Sequence, residues 1–90
     1  MKSLEIIVSG RVQGVCFRAF VLQRARELNI KGYTKNLVSG DVKVVAIGND
    51  VALDLFIKML KAGSSMARVD DLKITALQLT TEYTDFRITY

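Results

Sequence analysis

Ninety residues, half of them hydrophobic, suffice for one core and suggest a single domain spanning residues 1–90. The net charge of +4 favours anionic partners in general, and the chain has one cysteine and no histidine. Those counts exclude an internal disulfide, a histidine general base, a phosphohistidine and imidazole metal ligands, and they leave no ordinary zinc ligand set.

Residues 2–9 alternate, with Leu4, Ile6 and Val8 on one side and Glu5, Ile7 and Ser9 on the other, which predicts a mostly buried strand. Met1-Lys2 leads straight into this short run, so no secretory leader is expected, and no apolar stretch approaches membrane-spanning length. A cytoplasmic setting is the expectation. A glycine-bearing stretch follows, and then Phe17, Val21, Ala25 and Leu28 form the buried stripe of a helix over 17–29, with Asn29 suited to a left-handed end. A second strand is predicted over 32–38, a two-residue hairpin turn at Ser39-Gly40, and a third strand over 41–47 with Val42, Val44 and Ala46 on one face.

Gly48-Asn49-Asp50 turns the chain and offers an N-cap. The second helix, 51–62, places Ala52, Leu55, Phe56, Met59 and Leu60 on its apolar stripe and ends at Gly63. A long strand is predicted over 69–79, with a bulge near Ala76 where the alternation changes phase. Residues 80–84 are polar and turn, and Phe86, Ile88 and Tyr90 alternate in a short last strand. The order is β-α-β-β-α-β plus a final strand. It predicts a ferredoxin-like α+β sandwich, with both helices on one face of a mostly antiparallel sheet and the other face more polar or partly covered. One short core accounts for the apolar residues, so a monomer is expected.

The stretch from Ser9 to Arg18 holds two glycines, two arginines beyond Ser9 and no acid between a strand and a helix start. Free amides and the positive end of the helix dipole make it a candidate anion cradle. The alternative is a tight turn with two solvated arginines. Arg18 favours the cradle: a lone cation at a helix N-terminus conflicts with the dipole, an anion removes the conflict, and the guanidinium fork suits two phosphate oxygens. Cys16, two residues before Arg18, lacks the spacing of a phosphatase nucleophile and reads as a small packing residue. Asn36, in a strand where asparagine is depleted, is either a residue near the turn or an amide facing a water or phosphoryl oxygen. Nucleic-acid binding is not expected: the strands 2–9 and 41–47 carry no aromatic residue, and no RNP1-like string is present.

With these residues in view, the chain resembles the acylphosphatase family. Gly10-Arg11-Val12-Gln13-Gly14-Val15-Cys16-Phe17-Arg18 is similar to the family's first signature, and Gly32-Tyr33-Thr34-Lys35-Asn36-Leu37 with Gly40 and Val42-Lys43-Val44 is similar to the second. Ala67-Arg68-Val69 and Phe86-Arg87-Ile88-Thr89-Tyr90 extend the match in register. Ser39, Lys43 and Ser64 depart from the family's usual aspartate, glutamate and proline, and none of them falls on Arg18 or Asn36.

The resemblance implies hydrolysis of acyl phosphates to a carboxylate and phosphate without a metal, cofactor or covalent intermediate. It implies Arg18 as the phosphate-binding catalytic arginine and Asn36 as the residue positioning the attacking water. The backbone amides of Val12, Gln13, Gly14, Val15, Cys16, Phe17 and Arg18 would cradle the phosphoryl oxygens, and the sheet order would be 4-1-3-2-5. The partners implied are a small acyl phosphate and inorganic phosphate, as product and inhibitor. The chemistry is consistent with a site lacking histidine: a carboxylate leaving group, with a pKa of about 4, departs as an anion and needs no general acid. An alternative within the same fold is a non-catalytic anion-binding or regulatory module.

Overall fold

The computed structural model describes residues 1–78 and 82–90. Its strands are β1 (Lys2–Arg11), β2 (Lys31–Asn36), β3 (Val42–Gly48), β4 (Arg68–Ala76) and β5 (Phe86–Thr89), and its helices are α1 (Phe17–Glu27) and α2 (Asp50–Ala62). The strands form one sheet in the order β4-β1-β3-β2-β5, antiparallel except for the β2–β5 pair. This is the ferredoxin-like arrangement expected from the order of elements.

Alternation decides which side of each strand meets the helices. Ile6 and Val8 of β1, Val42, Val44 and Ala46 of β3, Thr34 of β2 and Phe86 of β5 are buried with Phe17, Val21 and Ala25 of α1 and Ala52, Leu53, Phe56 and Leu60 of α2. Phe56 and Phe86 meet edge to face at 6.2 Å between ring centroids, joining α2 to the sheet. Thr34, the one buried polar residue among them, donates its hydroxyl hydrogen to the Lys43 carbonyl at 3.1 Å, so its burial leaves no donor unmatched. The opposite face is partly covered: the Glu5–Lys43 ion pair (3.6 Å) and Tyr33 lie across the sheet there, and Val45 is only 3% exposed.

Local signals set the ends of the elements. Asn49 caps α2, its side-chain oxygen accepting from the Ala52 amide at 2.8 Å, and Asn29 takes the left-handed conformation (φ 56°) after α1. Three expectations need correcting. The β2–β3 connection is five residues, 37–41: the Gly40 amide donates to Leu37 and the Leu37 amide to Asp41, with Gly40 at φ +97° closing the turn. On α2 the apolar side is turned toward Leu53, which packs with Ile30 over Gly48, and Leu55 is 43% exposed.

The bulge lies at the other end of β4 from Ala76. Ser9 pairs with Asp71 and Gly10 with Val69, leaving Asp70 as the extra residue. Gly10 serves this bulge, since a Cβ there would sit 2.2 Å from the Arg68 carbonyl oxygen. The predicted end of the fourth strand at Leu79 and the start of the following turn lie outside the described residues.

Candidate active site

β1 runs on to Arg11, so the connection to α1 is only residues 12–16. Val12 and Val15 are buried in the core and pin this short loop from within. Between and after them, Gly14 (φ +71°) and Cys16 (φ +60°) are left-handed. Left-handed residues within a turn gather successive amides toward one point, the geometry of an anion-binding concavity. Cys16 is also the N-cap of α1; it makes no side-chain capping bond, and the first turn of the helix carries no acid. The side chain is exposed, so the expectation of a packed cysteine fails: the left-handed backbone at the cap directs it away from the core.

Arg18 lies in the first turn of α1. Its Nη1 donates to the Thr89 carbonyl at 3.3 Å, and the guanidinium carbon sits 5.0 Å from the centroid of the Tyr90 ring. Among the described residues no carboxylate forms an ion pair with it. A carbonyl and a ring orient the cation without neutralising it.

Asn36 is the last residue of β2 and shares the helix-facing side with Thr34. Its Oδ1 is buried and accepts no hydrogen bond from any described group. A buried acceptor left in that state costs about 1–3 kcal/mol.

These pieces line one open cleft of about 260 Å³, bounded by Val12, Gly14, Cys16, Phe17, Arg18, Ala19, Asn36, Ile88 and Tyr90. Arg18 and Asn36 are brought together there from positions 18 residues apart in sequence. Gln13 and Val15 do not line it: Val15 packs inward, and the Gln13 side chain reaches the β2–β3 loop, where Nε2 donates to the carbonyls of Leu37 (2.7 Å) and Asp41 (2.8 Å). Sequence reasoning missed Ile88, Thr89 and Tyr90 as neighbours of Arg18. The alternation of Phe86, Ile88 and Tyr90 placed them on one face, but only the parallel pairing of β5 with β2 sets that face beside α1. Among the described residues no group of three or more cysteine or acidic side chains comes together as a metal site.

The acylphosphatase family model matches residues 4–88. The chain belongs to the acylphosphatase family. It is 43% identical to the acylphosphatase of Archaeoglobus fulgidus over the full length of both chains. The crystal structure of acylphosphatase from Bacillus subtilis superposes with a TM-score of 0.95 at 38% identity, covering all of both chains. T. kodakarensis HypF contains the same fold in 12% of its length, matching all of this chain with a TM-score of 0.89 at 32% identity. Membership of the acylphosphatase family carries the activity class with it: the chain is a hydrolase acting on acyl phosphates.

Proposed function

We propose that the cleft hydrolyses acyl phosphates by direct attack of a water on phosphorus, with Arg18 holding the phosphoryl group and Asn36 aiming the water. The observation that carries this reading is the pairing, in one cleft, of an arginine and a buried amide oxygen that have, among the described residues, no carboxylate partner and no donor respectively. The guanidinium and the amides of residues 12–18 take the phosphoryl oxygens. Asn36 Oδ1 accepts a hydrogen from the water, which satisfies the oxygen and turns a lone pair toward phosphorus.

The new P–O bond forms as the bond to the acyl oxygen breaks, and the carboxylate leaves with the bonding electrons. The water's proton passes to a phosphoryl oxygen, since an amide is no base. Phosphoryl transfer asks a protein chiefly for positioning and charge stabilisation, and this donor set supplies both. A phosphate monoester expels a far more basic alkoxide, and among the described residues no carboxylic acid, lysine or imidazole lines the cleft to protonate it.

Turnover of benzoyl phosphate in the presence of a chelator, with competitive inhibition by inorganic phosphate, is the expected result. Phosphate binding without any hydrolysis would instead identify a non-catalytic anion-binding module.

A further inference from the structure

The water and the phosphate are addressed by different parts of the chain: the sheet ladder carries Asn36 only as far as Val8 of β1, through Val42, and not to the 12–16 connection itself. Gln13 is the side chain that crosses from one to the other. It belongs to the cradle loop, yet its terminal amide points out of the cleft and bonds two carbonyls of the β2–β3 loop, Leu37 at 2.7 Å and Asp41 at 2.8 Å. Both partners are acceptors, so only the NH₂ end of the side chain satisfies them, and both of its hydrogens are used. Leu37 directly follows Asn36 in the chain.

The two ends of this bridge differ in stiffness. Gln13 is flanked by Val12 and Val15, both buried in the core, with only Gly14 intervening. The loop it grips carries Val38, Ser39 and Gly40 on the surface, with Val38 fully exposed at its tip. Without the bridge, that loop is held by its own two backbone bonds, Gly40 to Leu37 and Leu37 to Asp41, which close the turn but do not tie it to the cradle. The same two bonds leave each carbonyl with a partner when Gln13 is changed, so the substitution leaves no buried acceptor wholly unmatched.

We propose that Gln13 is a positioning residue: its side-chain amide transmits the rigidity of the phosphate cradle to Asn36 and so fixes the line of attack of the water. The inference rests on the reading of Asn36 as the group that aims the water. A displacement of about 1 Å in a reacting constellation can cost on the order of 100-fold in rate, so loss of the bridge is expected to lower kcat by about tenfold or more. Phosphate affinity, which depends on the pinned side of the cleft, should change less than about twofold on the same argument.

The test is a double-mutant cycle on benzoyl phosphate hydrolysis with Gln13→Met and Asn36→Ala, alone and together, with the phosphate inhibition constant of each. Methionine keeps the length of glutamine and has no donor. If Gln13→Met fails to give a native circular dichroism spectrum, Gln13→Glu takes its place, presenting acceptors to both carbonyls. The expected outcome is a fall in kcat at unchanged phosphate inhibition, with no further loss when the change is made on top of Asn36→Ala, because a residue acting through Asn36 is silent once Asn36 is gone. An unchanged kcat, a parallel loss of phosphate affinity, or an undiminished effect in the Asn36→Ala background each overturns the proposal. A silent Asn36→Ala sinks the reading of the water and this inference with it, whereas a silent Gln13→Met beside a crippled Asn36→Ala sinks the inference alone.

Discussion

On one side of the cleft the binding surface is backbone: a five-residue connection pinned by Val12 and Val15, turned by left-handed Gly14 and Cys16, and opening into the first turn of α1. On the other side it is one side chain, Asn36, at the end of a strand and beside an exposed loop. On the proposed reading the first side holds the anion whatever the second does, and the second acts only if the first holds the phosphoryl group at a set distance. Holding charge can therefore be built locally, from a loop and a helix end, while aiming a nucleophile needs parts that are distant in the chain.

That division predicts a graded series of losses. Arg18→Ala, which removes the cation from the cradle, should have the largest effect, lowering kcat/KM by about 100- to 1,000-fold or more, as loss of a preorganised donor typically does. Inhibition by phosphate should vanish with it; an Arg18→Ala enzyme still inhibited at the original phosphate concentration would place the anion elsewhere. Asn36→Ala should come next, with kcat reduced by about 100-fold from the misdirected water and phosphate inhibition nearly intact. Equal damage to both parameters would erase the distinction between the two sides.

Tyr90→Ala tests how the cation is kept in place. An exposed cation–π contact is worth about 0.5–1 kcal/mol, so phosphate inhibition should weaken by about two- to fivefold, with kcat moving less. A loss as deep as that of Arg18→Ala would mean that Tyr90 itself meets the substrate.

The smallest effect is expected on the far face of the sheet, away from the cleft. There the Lys43 pKa is raised above its ordinary value, chiefly by the polar end of Tyr33 beside it and then by Glu5. A lysine with a raised folded pKa stabilises the fold fully below its unfolded value and loses that contribution as pH rises through the folded one. Lys43→Met should therefore cost less than about 1 kcal/mol at neutral pH. The gap to the original protein should close as the lysine titrates above its ordinary value of 10.5. Chemical unfolding across pH, with hydrolysis assayed in parallel, checks both points. A change in kcat would tie the open face to the site.

The legibility of the sequence follows the same division. Residues 2–18 could be read as a strand, a turn and a helix start because each of those steps is decided within a few residues, by alternation, glycine and an apolar stripe of helical spacing, although the strand runs past Ser9 to Arg11. The caps at Asn49 and the left-handed Asn29 were legible for the same reason. Leu53 and Leu55 were not distinguishable, since both are leucines flanking the same stripe, and the packing with Ile30 over Gly48 that chooses between them exists only when α2 lies on the sheet. The bulge was misplaced because a change of alternation near Ala76 is visible in one strand, while a bulge is a mismatch between two.

The sequence by itself therefore determined the order of elements and the two amphipathic helices, and it marked the 12–18 stretch as a candidate anion cradle. Only the tertiary structure decided that Asn36 shares a cleft with Arg18, that β5 lays Thr89 and Tyr90 against that arginine, and that the Gln13 side chain turns away from the cleft to grip the neighbouring loop. The physical reason is range: turns, caps and periodicity are set by neighbours in the chain, while the contacts that complete the site span 18 to 72 residues and come into being only when the sheet assembles in its crossed order.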